Sequence, residues 1–369
     1  VKISIGREAL LAELQSVSRI ASTRSAIPAL SGVLISAAES GCELRATDTD
    51  ISLRVPLSAE VVDAGVVVLP ARLLLEIVRS LPLAVVSLEY RSAESDVQLV
   101  CGSATFSIRT LRADEFPTLP QASGANSISL PAQAFVETAS KVSGSASRDE
   151  TRPVLTAIHV AASERQIRMV ATDSYRLSVK ETSLELPVST PLEANIPARA
   201  LDELARLAHA SSEETLQIDV TQNQIVFTLG EVVLSSRLID GTFPNDRQLL
   251  PETFEHELRI GVGELRDTVR RISLLAQKNL PLRISFAEGE LTISSQTPDI
   301  GEAHESLPVP FHGEALEIGF NPDYLRDGLE AIDGEDVLLK ITSSLRPGLL
   351  ESGDGSGFKY LIMPIRLNA

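Results

Sequence analysis

The sequence predicts an α+β fold made of three repeated domains, with helices laid on one face of antiparallel sheets. Landmarks recur in one order at nearly one offset. Ala46-Thr47-Asp48, ahead of the alternating run Ile51, Leu53, Val55, returns as Ala171-Thr172-Asp173 ahead of Leu177 and Val179, 125 residues later. Leu69-Pro70-Ala71-Arg72 returns as Ile196-Pro197-Ala198-Arg199, and Phe116-Pro117 as Phe243-Pro244, both 127 later. A fainter third copy puts Phe320-Asn321-Pro322-Asp323-Tyr324-Leu325 where the Pro-Ala-Arg segment belongs, with Leu325 and Leu329 matching Leu74 and Val78. The 369 residues divide into three units of about 120, each long enough to bury a core. The expected boundaries are 1–122, 123–254 and 255–369, with junctions in the polar segments Gln121 to Ser127 and Pro251 to Glu257.

Each copy is expected to open with a helix: Gly6 to Ala21, with Leu10, Leu14 and Val17 on one face; Pro131 to Ser145; and Val262 to Gln277, with Leu265, Val269, Ile272 and Ala276 as its stripe. A second helix follows about 65 residues on in each: Ala71 to Leu81, Ala198 to Ala210 and Asn321 to Ile332. Between them the period is two, as in Val97-Leu99, Ile218-Val220, Ile225-Phe227-Leu229 and Leu291-Ile293, which predicts strands.

The net charge of −17 taken alone argues against a nucleic-acid partner. Its distribution reverses that argument. Taken over 7–20, 71–80, 131–148, 198–209, 263–278 and 321–332, the expected helices hold thirteen basic and eleven acidic residues, so the remainder nets −19. Arg72 and Arg79, seven apart and so on one helical face, return in register as Arg199 and Arg206; Arg266 and Arg270 are four apart. Helices inside a ring and acidic sheets outside would give a basic bore for phosphates. The plain alternative is a set of solvated faces.

Composition is 43% apolar and 22% charged, and no apolar run reaches the ~18 residues of a membrane span. The segment Val1 to Leu10 carries Glu8 and no apolar core, so no secretory signal is expected. Cys42 and Cys101 have no metal-ligand spacing, and a reduced cytoplasmic protein is the simple reading. Enzyme signatures are missing: no phosphate loop, no His-x-x-x-His among His159, His209, His256, His304 and His312, and no Gly-x-Ser-x-Gly. Gly353-Asp354-Gly355-Ser356-Gly357 reads as a hairpin turn. Asp48 and Asp50 could form an acid/base or metal-binding pair, but the second copy has Asp173 and then Tyr175, which favours a structural turn. With no Trp and 4% aromatic residues, single-strand stacking platforms are poorly supplied. No catalytic residue, metal or cofactor is expected.

The Thr-Asp strands, the Pro-Ala-Arg helix starts, the run Ala171-Thr172-Asp173-Ser174-Tyr175-Arg176-Leu177 and the end Tyr360-Leu361-Ile362-Met363-Pro364-Ile365-Arg366-Leu367 together resemble the bacterial sliding-clamp family, the β subunit of DNA polymerase III, over the full length. The resemblance implies a head-to-tail homodimer ringing double-stranded DNA without sequence preference, with no catalysis of its own. It implies opening by a clamp loader and tethering of the replicative polymerase. Other polymerases and repair proteins would dock through short linear motifs.

By position, the partner-peptide pocket would comprise Leu155, Thr172, Ser174, Tyr175, Arg176, Leu177, Pro244, Arg247, Leu249, Asn321, Tyr324, Leu361, Met363, Pro364, Ile365 and Arg366. The apolar members would seat Leu or Phe anchors, with Arg176 and Arg366 on the polar rim or bonding backbone carbonyls. DNA contacts would come from Arg24, Arg72, Arg79, Lys141, Arg148, Arg152, Arg199, Arg206, Arg270 and Lys278. The dimer seam would pair Phe106 and Ile108 with Leu274 and Leu275 of the second copy. Ser174-Tyr175 replaces the Gly-His of some relatives, Gln248 a basic residue, and Pro153-Val154 a Tyr pair after Arg152; Asn368-Ala369 extends the usual end. The competing readings are a peptide-binding adaptor that ignores DNA and an enzyme using Asp48, Asp50 and Asp173.

Overall fold

In the computed structural model each copy opens with a strand, not the expected helix: Lys2–Gly6, Ile128–Pro131 and His256–Gly261 run directly into the first helix of their repeat. These short runs alternate buried and exposed residues, too few to show a period in sequence. The structure describes residues 1–22, 25–82, 84–122, 127–276 and 280–367. Among them the helices are α1 (Arg7–Ile20), α2 (Ala71–Ser80), α3 (Ala132–Ser143), α4 (Ala198–His209), α5 (Asp246–Leu249), α6 (Val262–Ile272) and α7 (Pro322–Ala331).

The apolar stripes go inward as predicted. Leu10, Leu14 and Val17 of α1, Leu74 and Val78 of α2, Leu265, Val269 and Ile272 of α6, and Leu325 and Leu329 of α7 are all buried. Asn321 caps α7, its Oδ1 accepting from the Asp323 and Tyr324 amides at 2.9 and 3.1 Å, with Pro322 in the first turn. Two expected helices end early. α3 stops at Ser143, where Gly144 and Ser145 are poor helix formers; α6 gives way to a 3₁₀ turn at Ser273–Leu275. Arg148 is therefore a loop residue, and Lys278 and Arg24 lie outside the described residues. Without Arg148 and Lys278 the expected helical excess of two positive charges disappears.

The chain forms two compact units, Val1–Gln133 with Arg206–Leu238 and Ala134–Ala205 with Ile239–Ala369. The first holds a five-stranded sheet in the order Glu60–Asp63, Lys2–Gly6, Val85–Arg91, Asp96–Cys101, Ala104–Arg109. Its second sheet has eight strands: Ile128–Pro131, Thr215–Val220, Gln224–Leu229, Val232–Arg237, Ile51–Leu57, Gly41–Thr47, Gly32–Ala38, Gly65–Pro70. The other unit repeats the eight-stranded plan with Leu192–Pro197, Ala157–Ser163, Gln166–Thr172, Arg176–Ser183, Phe358–Ile362, Gly348–Ser352, Asp336–Ile341 and His256–Gly261. Its four-stranded sheet runs Gly301–Pro308, Glu290–Thr297, Leu282–Ala287, Leu316–Phe320. Every named pairing is antiparallel. Each large sheet thus joins strands of two sequence repeats: Val232–Arg237 pairs with Ile51–Leu57, and Phe358–Ile362 with Arg176–Ser183.

Helices cover one face of the sheets. α1 packs on Gly41–Thr47 and Ile51–Leu57 and against α2; α6 packs on Glu290–Thr297 and against α7. α7 reaches Phe358–Ile362 because Gly328 has no side chain: a Cβ there would lie 2.6 Å from the Tyr360 ring. Basic side chains of the first helices cap the second ones. Arg7 donates to the Val78 and Arg79 carbonyls at 3.1 and 2.7 Å, and Arg266 to those of Leu329 and Ile332 at 3.0 and 3.3 Å.

The Thr-Asp landmark is a turn, as expected. Asp48 Oδ1 accepts from the amides of Asp50 and Ile51, and Asp173 Oδ1 from those of Tyr175 and Arg176. Thr47 and Thr172 hydroxyls donate to the Ile51 and Arg176 carbonyls. Thr49 and Ser174 take φ of 82° and 81°. A third copy escaped notice in sequence: Thr297-Pro298-Asp299, with Asp299 at φ 64°, stands another 125 residues on.

Candidate partner-binding and DNA-binding surfaces

The peptide pocket predicted from sequence lies wholly within the second unit; its leucines are on the sheet face away from the helices, whereas Arg176, Asn321 and Tyr324 are on the side of α7. Val170, Leu177, Val179, Leu349 and Leu361 form a separate buried cluster on the leucine-bearing face, with Phe243, Leu250 and Phe254 of the following connector packed against it. The register explains the assembly. Leu177 is opposite Thr172 on one side and Leu361 on the other, and Leu361 is opposite Leu349. Beyond that end of the sheet project the Asp173–Tyr175 turn, the segment 343–347 and Met363, whose amide donates to the Tyr175 carbonyl at 2.9 Å.

Two classes of side chain separate by exposure. Leu155, Thr172, Leu177 and Leu361 are buried and build the wall; Tyr175, Leu249 and Met363 stay 61, 48 and 42% exposed and are free to meet an anchor. Ser174, Arg247 and Arg366 are exposed, and Pro244, Asn321, Tyr324, Pro364 and Ile365 half-buried. Pro364 and Ile365 belong to a tail fixed by one bridge, the Ile365 amide donating to Gly319 at 2.7 Å.

Arg176 does not serve the rim as expected. Its Nε donates to Asp173 at 3.0 Å, a terminal nitrogen to Asp327 at 2.6 Å, and its guanidinium stacks 4.3 Å from the Tyr324 ring centroid. The side chain is only 10% exposed and braces the turn against α7. Beside it burial pushes the Tyr360 phenol well above the ordinary tyrosine range, and its hydroxyl donates to the Tyr324 carbonyl at 2.7 Å.

The sequence missed how the connector is held. Between Pro244 and Leu250 lie four residues more than between Pro117 and Leu119, and those four are α5. Arg168 on the neighbouring strand fixes this turn through a buried bidentate pair with Asp246. α5 in turn presents Arg247 and Leu249. His159 stacks on Phe243 at 5.3 Å between ring centroids, and its Nδ1 lies 2.9 Å from Asn195 Oδ1, holding the other end of the loop. The signal available in sequence was the four-residue insertion itself.

The basic residues are unequally available. Arg72, Arg79, Arg148 and Arg270 are exposed and have no ion pair among the described residues; Arg199 and Arg206 are exposed as well. Lys141 is already engaged by Asp333 at 2.6 Å and the Ala331 carbonyl at 2.9 Å. Arg152 donates to Asp149 at 2.9 Å and Ser174 at 3.1 Å, next to the peptide turn. Of the dimer-seam residues, Leu274 is 83% exposed and Phe106 and Leu275 half-buried. Ile108 departs from expectation: it faces inward and is buried in the core of its own unit.

Comparison with known proteins decides the family. The chain matches the N-terminal domain of the DNA polymerase III beta subunit over 1–120, the central domain over 129–245 and the C-terminal domain over 247–366. This chain belongs to the bacterial beta sliding clamp family. It is 30% identical to the beta sliding clamp of Bacillus subtilis over 99% of this chain and 100% of the relative. The Streptomyces coelicolor clamp is 31% identical, with 100% of each chain covered. The crystal structure of the Bacillus subtilis sliding clamp superposes with a TM-score of 0.90 at 29% identity, covering 100% of this chain and 99% of that one. The Thermotoga maritima beta subunit does so at 0.90 and 25%, with full coverage of both. The function is that of a DNA polymerase sliding clamp, a processivity subunit with no reaction of its own. The reading of Asp48 and Asp173 as turn residues agrees with a non-catalytic clamp. No described helix is long and apolar enough to cross a membrane.

Proposed function

We propose that two copies of this chain, each with domains 1–122, 123–254 and 255–369, close head to tail into a cytoplasmic ring around duplex DNA. A clamp loader opens the ring. The replicative polymerase, other polymerases and repair proteins dock by short linear motifs in the pocket of Tyr175, Leu249 and Met363. The observation that carries the ring is a pair of bare strand edges. Ala104–Arg109 in one unit and Gly301–Pro308 in the other end their sheets with no further neighbour among the described residues. Exposed Leu274 follows α6 in the second unit, and half-buried Phe106 lies on the first of these edges. Unpaired edges invite another strand, and head-to-tail closure supplies it. Arg72, Arg79, Arg148 and Arg270, free of ion pairs among the described residues, are the groups best placed for phosphates, few and weak enough in their hold to permit sliding.

The test is topological. After loading on nicked circular DNA, the protein should stay bound through gel filtration and escape once the circle is cut by a restriction enzyme. Equal retention on circle and line would mean that enclosure is not what holds it. Sedimentation should give twice 39.6 kDa; a stable single-copy mass under loading conditions would exclude the ring.

A further inference from the structure

We infer that the first unit carries a second docking groove, at the position homologous to the peptide pocket, and that it takes an acidic extended segment of a partner protein. The 125-residue offset matches Gly32–Leu57 of one large sheet to Ala157–Thr182 of the other residue for residue. Val170, Leu177 and Val179, which line the apolar pocket, correspond to Arg45, Ser52 and Arg54. The strand pairing extends the correspondence. Leu361 is opposite Leu177, and Ser235 is opposite Ser52, so a leucine in one sheet is a serine in the other.

The cleft is of about 270 Å³, bounded by these residues, Thr228 and the connector Thr118 to Ala122. That connector crosses its sheet as Leu250-Pro251 crosses the other, with Leu119-Pro120 half-buried. Leu119, Pro120 and Val233 give this cleft an apolar side, but the leucine and valine positions of the other pocket are arginine and serine here. An anion fits, because the guanidinium groups are under-partnered. Glu43 is the sole carboxylate paired with both among the described residues. One of its oxygens accepts from both Arg45 Nε, at 2.7 Å, and a terminal Arg45 nitrogen, while the other lies 3.7 Å from Arg54 Nε, too far for a hydrogen bond, so two guanidinium groups share one carboxylate and Arg54 is the less satisfied. The Arg54 side chain makes no hydrogen bond among the described residues. Thr228 adds a buried hydroxyl with no hydrogen-bond partner among the described residues. An incoming carboxylate on Arg54 and Arg45 would complete both, with charge-assisted bonds in a half-buried cleft.

The experiment uses the full-length protein with ¹³C-labelled Leu and Val methyls and an acetylated, amidated tetraglutamate peptide as probe. Val233 and Leu119 methyls should shift and saturate, while Leu177 and Leu361 methyls stay put. Arg45→Gln/Arg54→Gln should weaken the apparent affinity about tenfold or more, the loss expected for removing a charge-assisted hydrogen bond. Glu43→Gln, which frees Arg45, should strengthen it. No shift at Val233, or shifts confined to Leu177 and Leu361, would overturn the inference. So would an identical response to inorganic sulfate, which would mean an adventitious ion only, or a response to a short DNA duplex but not to the peptide. If the double variant fails to fold, the sign of the Glu43→Gln effect decides alone.

Discussion

Replacing Met363 and Leu177 separately by alanine tests the proposed division between groups that would meet a partner and those that build the wall. Met363 retains 42% exposure, so docking can remove at most that share of its surface from water. Full burial of such a side chain stabilises by ~1.5–3 kcal/mol, and two fifths of that is roughly 0.6–1.3 kcal/mol, a three- to ninefold loss of affinity. Fold stability should be unchanged. Leu177 is 2% exposed and packed among Val170, Val179, Leu349 and Leu361. Truncating it opens a cavity, at a cost of about 2–5 kcal/mol in folding free energy. The assays are fluorescence anisotropy with a labelled polymerase motif peptide and urea denaturation of each variant. A Met363→Ala loss beyond a hundredfold, or a Leu177→Ala urea midpoint equal to wild type, would refute the division into wall and contact.

Other outcomes follow from the same geometry. Asp246→Asn should loosen α5 from Arg168, weakening peptide binding and raising amide exchange at 246–250; Arg168 keeps its bond to Glu181 at 3.0 Å, so the cost should be that of a charged hydrogen bond, about 1.5–3 kcal/mol; unchanged exchange would refute this. Arg176→Leu leaves Asp173 without its ion pair and Asp327 with only Arg326 at 3.6 Å, and should lower thermal stability as well as peptide affinity, whereas a simple rim arginine would affect affinity alone. Arg72→Gln/Arg79→Gln/Arg148→Gln should flatten the salt dependence of DNA association, by about 0.9 in log–log slope for each phosphate left without its arginine. Arg271, with help from Thr268, holds the Glu305 carboxyl below the usual glutamate range. Its stabilisation is therefore present above the ordinary value near 4.3 and fades as pH falls through the lowered folded value. The melting-temperature gap between wild type and Glu305→Gln should close below about pH 4.

Much of this was legible in the sequence because repetition multiplies weak signals. Leu74, Val78, Leu325 and Leu329 are buried because each sits on an apolar helical stripe recurring at one offset. The Thr-Asp turn was readable because a short side-chain acceptor closes it locally. What stayed hidden depends on distant partners. Arg176 looks like any half-exposed arginine until Asp327, 151 residues away, is placed beside it. Ile108 sits on an edge strand, yet its side chain takes the inward phase of the alternation. Lys141 had the right helix, but Asp333 claims it. Arg148 was misassigned to a helix because periodicity fades gradually while a Gly-Ser run ends a helix abruptly.

The sharing of strands across repeats constrains how the molecule can be dissected. Cutting at a repeat boundary would strip Arg176–Ser183 of the five residue pairings it makes with Phe358–Ile362, baring a long sticky ladder. A fragment confined to one repeat should therefore precipitate or swap with its neighbour. The smallest piece that keeps its sheets whole is discontinuous in the chain, and isolating it would call for rewired termini rather than truncation.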